Sequence, residues 1–147
     1  MCSSDLEAGI LFVERQFGYL EFHSQNPPAV RSATSALLDA LDVSAQSAAK
    51  PKVLARKVIS RVDHQHAFLI NRNRIGSMLL PGESLFVLEV QPASYAILAT
   101  NEAEKAADIK VIDYRMVGAT GRVYLAGEEA NVRAAGDAAV AALEAIQ

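Results

Sequence analysis

The 147 residues are 51% hydrophobic and 21% charged, which excludes a disordered chain and suffices for one ordinary domain or two small ones. A net charge of −3 gives no global attraction to nucleic acid or to an anionic membrane. No apolar run reaches the roughly 20 residues of a membrane span, the first residues do not read as a secretory leader, and the single Cys2 excludes an internal disulfide and fits a reducing, cytosolic setting.

Residues 1–6 (Met1-Cys2-Ser3-Ser4-Asp5-Leu6) show no periodicity, and Cys-Ser-Ser-Asp-Leu is one translation of a common sequencing adapter. They read as a non-native leader, with the natural reading frame expected to begin upstream. Phe12 to Gly18 and Tyr19 to His23 follow as strand, glycine turn and strand, then Ala29 to Val43 as a helix. Val30, Ala33, Leu37 and Leu41 recur there at helical spacing, and Pro27 and Pro28 suit the entry and first turn. A polar, alanine-rich linker runs from Ser44 to Pro51 and Lys52. Val53 to Ile59 reads as a strand, and Asp63 caps a helix predicted to run to about Arg74, with Ala67 and Ile70 on one face. Gly76 and Pro81-Gly82 mark turns. Ser84 to Val90 is the clearest buried strand, and Pro92 is expected to open an alanine-rich helix ending near Asp108.

From Ile112 onward the earlier pattern returns. Arg15 and Gly18 recur as Arg115 and Gly118, and Val30, Arg31, Ala33 and Leu41 as Val132, Arg133, Ala135 and Leu143. The second copy has a longer turn, Met116 to Gly121, before Arg122 to Ala126 and a helix from Asn131 to Ala145. A spacing this wide indicates a duplicated domain, because solenoid repeats recur every 20–50 residues or about that. The earlier copy lacks a counterpart of Ser84–Asp108, so residues 7–43 read as the trailing half of a first domain and residues 53–147 as a complete second one, joined by residues 44–52.

The stretch Leu88-Glu89-Val90 through Ala93, followed by Asn101-Glu102-Ala103-Glu104-Lys105-Ala106-Ala107-Asp108-Ile109, resembles the signature of the bacterial microcompartment shell domain. Val13-Glu14-Arg15-Gln16-Phe17-Gly18, Leu69-Ile70-Asn71-Arg72 and Gly76 through Phe86 are similar to the tandem-domain, trimer-forming members with circularly permuted domains. The resemblance implies an α+β, ferredoxin-like sandwich in which helices pack on an antiparallel sheet. It implies a homotrimer forming a pseudo-hexameric disc, two of which can stack, and it places the disc in the shell of a cytoplasmic microcompartment, carboxysome or metabolosome, beside other shell proteins. One loop from each domain converges on a central pore through which metabolites pass. No cofactor, metal, nucleic acid or membrane is implied.

Within that resemblance Glu14 and Arg15 match the pore's Glu-Arg pair, with Gln16, Phe17 and Gly18 completing the loop and Gly18 expected to supply permissive backbone. Without it, the pair reads as an ordinary surface ion pair worth about 0–1 kcal/mol. In the second copy Tyr114 stands in place of Glu14, so Arg115, Met116, Val117 and Gly118 are expected to line or brace the pore without repeating the full pair. Lys105 matches the lysine that meets a neighbouring tile; alone it reads as a solvated helix lysine. His64 and His66 do not share a helical face, which argues against a metal site. Arg56, Lys57, Arg61, Arg72 and Arg74 read as a solvated face or a contact between discs rather than a nucleic-acid site. No nucleophile elbow, P-loop or zincin motif is present and no convergent titratable set is evident, so the chain does not read as an enzyme. A small-molecule-binding, ferredoxin-like regulatory module is the competing reading, because fold does not determine function.

Overall fold

A computed structural model describes residues 5–14, 17–47 and 49–146, and the side chains of Glu14 and Phe17 lie outside the description. The chain divides into two compact units, residues 1–49 and 50–147.

The first unit is a hairpin and a helix. Strands β1 (Glu7–Glu14) and β2 (Phe17–His23) pair antiparallel, with Glu14 opposite Phe17, Val13 opposite Gly18 and a register shift between Ala8 and Leu11. Paired with Val13, Gly18 is a strand residue. Its φ is not positive, and the permissive backbone expected of it is not used. Helix α1 (Pro27–Ala40) opens with two prolines in its first turn, where the missing N–H has no intrahelical partner to lose. Among the described residues this unit buries no side chain; Leu11 and Val13 are 74% and 70% exposed.

The second unit is built on a four-stranded antiparallel sheet in the order β3-β4-β6-β5, from β3 (Lys52–Ile59), β4 (Ser84–Gln91), β5 (Lys110–Arg115) and β6 (Gly121–Gly127). Strand β4 is central, which explains its nearly unbroken apolar run. Leu85 and Val87 point to one face, Phe86, Leu88 and Val90 to the other. The Phe86 face joins Val123 and Leu125 under α3 (Tyr95–Ala106) and α4 (Glu129–Glu144). Those helices present Ala96, Ala99, Ala103, Ala135 and Ala139, all fully buried, so small side chains bring helix pair and sheet close together. The opposite face gathers Leu79, Leu85, Ile112 and Ala126 beneath α2 (His64–Asn71).

Two helix boundaries differ from the sequence reading. Helix α3 starts at Tyr95 rather than Pro92, which follows a cis peptide bond after Gln91. Helix α2 stops at Asn71 instead of running to Arg74, and the side chain of Asn71, its last residue, clasps the backbone of Leu79. Its Nδ2 donates to the Leu79 carbonyl at 2.8 Å, and the Leu79 N–H donates to its Oδ1 at 2.9 Å. At the other end, the Asp63 side chain accepts from the N–H of Gln65 at 3.0 Å, the capping predicted for it. Strand β5 carries a bulge between Val111 and Asp113. The extra residue puts Asp113 opposite Tyr124 and Arg115 opposite Arg122, all four on the α2 side of the sheet.

Candidate pore loops, tile edge and arginine pocket

In the first unit, Glu14 ends β1 and Phe17 begins β2, while Arg15 and Gln16 fall outside the described residues. Glu14 and Phe17 stand opposite each other as cross-strand partners. In the second unit, β5 ends at Arg115, and Met116 to Thr120 form an irregular, half-buried turn into β6. Gly118 has φ 118°, a conformation that favours glycine, so the permissive backbone sits in this loop. The far end of the turn is tied down, since Thr120 Oγ1 donates to Glu89 Oε1 at 2.8 Å. Glu89 also meets the Arg122 guanidinium at 3.4 Å, directly across the β4–β6 ladder.

Lys105, in the last turn of α3, donates to Glu102 Oε1 at 2.7 Å and is largely exposed. That bond holds the Glu102 carboxyl below its ordinary range, with Asn101 adding a second donor. Arg133 does the same to Glu129 at the start of α4, helped by Ser60. Both carboxylates lie at the surface, where such pairs contribute little to stability.

The feature that sequence reading missed is a pocket of about 450 Å³ on the α2 side of the sheet. Arg74, Asp113, Arg115 and Arg122 line it together with Leu69, Ile70, Asn73 and Tyr124. Asp113 is only 8% exposed. Its Oδ2 accepts two long bonds, 3.3 Å each, from Nε and Nη2 of Arg115, while Oδ1 is buried without a donor. Arg74 donates through Nη1 to the Gly76 carbonyl, and its buried Nε has no acceptor. Arg74 and Arg115 had been singled out, but for a basic surface and a pore; the bulge that turns Asp113 toward them leaves no mark in hydrophobic periodicity. His64 and His66 both sit on α2, and among the described residues no group of three or more His, Cys, Asp or Glu side chains is placed to hold a metal ion. No helix among them is long and apolar enough to cross a membrane.

Comparison with known proteins agrees with this architecture. The BMC domain family matches residues 84–147, and the family described as the CsoS1D N-terminal domain matches residues 1–47. The fused permuted hexameric shell protein of the RMM microcompartment shares 67% identity with a TM-score of 0.91, over 98% of this chain and 73% of that one. A double-ringed trimeric shell protein of the RMM microcompartment shares 44% identity with a TM-score of 0.92, over 97% of this chain and 71% of that one. The chain belongs to the bacterial microcompartment shell proteins, among those with fused, permuted domains. The carboxysome shell protein CcmP of Synechococcus elongatus is 49% identical over 136 residues, 92% of this chain, and the chain spans 64% of that relative's length.

Proposed function

We propose that this chain is a structural component of a microcompartment shell in the bacterial cytoplasm, not an enzyme. Its trimers form pseudo-hexameric discs that tile with other shell proteins and carry a gated central pore. The observation that supports this most is the match, over nearly the whole chain at 67% identity, to a fused permuted hexameric shell protein. In this reading residues 7–43 belong to one shell domain and residues 53–147 are a permuted second one. The exposed apolar hairpin of the first unit suits a surface that other parts of an assembly cover.

Threefold symmetry brings three copies of Glu14 and Arg15 around one opening. Carboxylates and guanidiniums bonding across subunits, at about 1.5–3 kcal/mol each, close it; the same side chains turned outward leave a polar aperture. Gln16, Phe17 and Gly18 complete that loop, while Arg115, Met116, Val117 and Gly118 form its counterpart from the second domain. Lys105 sits at the tile edge, and stacking of two discs is open to this chain as to its double-ringed relative.

Size-exclusion chromatography with light scattering should give a trimer or a pair of trimers, and electron microscopy should show sheets, tubes or incorporation into shells. A monomer that never enters a shell overturns the reading. For the gate, entry of a small anionic dye into reconstituted shells should increase with Glu14→Ala and with Arg15→Ala. Unchanged entry in both variants refutes the assignment.

A further inference from the structure

The pocket beneath α2 has the makings of a ligand site. It is of a size that takes a small metabolite, within the range of about 300–1,000 Å³ usual for such sites. Asp113 and Arg74 both line it, and each keeps one buried polar atom unmatched, an acceptor on Asp113 and a donor on Arg74. Buried polar groups in folded proteins are nearly always bonded, and both of these atoms are shielded in the present arrangement, so an occupant that pairs with Asp113 and Arg74 must draw their side chains toward it. Leu69 and Tyr124 provide apolar wall for its carbon frame.

Charge narrows the occupant further. On the lining Arg74, Arg115 and Arg122 outnumber Asp113, and Glu89, outside it, meets Arg122 at 3.4 Å, so the wall is net positive. An anionic head suits such a wall better than a zwitterion does. The Asp113 carboxylate accepts only, and a hydroxyl donates to it without adding charge.

We propose that this pocket binds a small hydroxycarboxylate, with the hydroxyl donating to Asp113 and the carboxylate held by the arginines. Room for the hydroxyl comes from Arg115. Both of its bonds to Asp113 are long, and its side chain is 58% exposed, so it can leave Asp113 and pair with the incoming carboxylate. The hydroxyl thus takes the place of Arg115 on Asp113 Oδ2, and the carboxylate takes up the released guanidinium. The site stands whether or not the pore is gated.

The test is titration of the assembled full-length protein, by calorimetry, with lactate, propionate and 2-methoxypropionate. Lactate should bind about tenfold more tightly than the other two, the worth of one hydrogen bond to a charged group. Asp113→Ala should reduce lactate to the level of propionate, and Arg122→Gln should weaken all three. The methoxy acid tests the same contact on the unaltered protein, should Asp113→Ala fail to fold. Equal affinity for lactate and 2-methoxypropionate, a lactate preference that survives Asp113→Ala, or no saturable binding by any of the acids overturns the proposal.

Discussion

Gly136 lies in the middle of α4, where a Cβ would come within 2.6 Å, 2.8 Å and 2.9 Å of Cε2, Cδ2 and Cζ of Phe86. Phe86 is 3% exposed and wedged between β4 and the helix pair, so the ring has little room to retreat. Gly136→Ala therefore sets two effects against each other. Alanine is better than glycine inside a helix by about 1 kcal/mol. Overpacking a tight core costs about 1–3 kcal/mol, and three ring contacts this short belong in the upper half of that range. The clash wins by about 1–2 kcal/mol. Urea unfolding of the full chain at fixed protein concentration should show a lower midpoint with unchanged slope. In a Phe86→Leu background the clash is gone while the helix preference remains, so the same substitution should become neutral or stabilising. The double-mutant cycle should give a coupling of about 2–3 kcal/mol. A stabilised Gly136→Ala protein, or a coupling near zero, refutes the packing argument.

Asn71→Ala removes both bonds to the Leu79 backbone and leaves a buried N–H and C=O unpaired, a loss of about 2 kcal/mol, visible as a melting point lower by about 8–16 °C. Thr120→Val frees the turn from Glu89, so amide exchange from Met116 to Gly121 should accelerate while global stability changes by less than about 1 kcal/mol. Lys105→Ala should abolish extended sheets in electron micrographs without dissociating trimers; intact sheets would remove Lys105 from the tile edge. Glu102 and Glu129 titrate lower in the folded chain, through Lys105 and Arg133 respectively. Their contribution is therefore present above the unfolded carboxylate value of about 4.3 and disappears as pH falls through the folded values. The urea midpoint should decline below about pH 4.3, and less so in Lys105→Ala; a midpoint rising on acidification contradicts this.

Much of the second unit was legible because its periodicities are strong. The run from Ser84 to Val90 has no polar face to solvate and so reads as a central strand, and the spacing of Val132, Ala135, Ala139 and Leu143 matches the buried stripe of α4. Where side chains bond to backbone or a strand bulges, periodicity gives no warning. Asn71 closes α2 and clasps Leu79, and an asparagine there looks like any other polar helix residue. The extra residue in β5 moves Asp113 from the face its position in the alternation would assign to the one beneath α2, which brings it into the arginine pocket. Glycine roles were equally hard to assign. Gly18 looked like the flexible turn residue and is a paired strand residue, whereas Gly118 has the positive φ.

The hairpin and helix of the first unit enclose no core of their own among the described residues, and Leu11 and Val13 face outward. Ordering each residue costs about 1–2 kcal/mol of backbone entropy, which a segment without buried apolar area does not recover alone. Such a segment is ordered best when its exposed strands are covered by other protein surfaces. Its resistance to proteolysis then rises with subunit concentration, and a cell can clear surplus single chains while sparing those already built in.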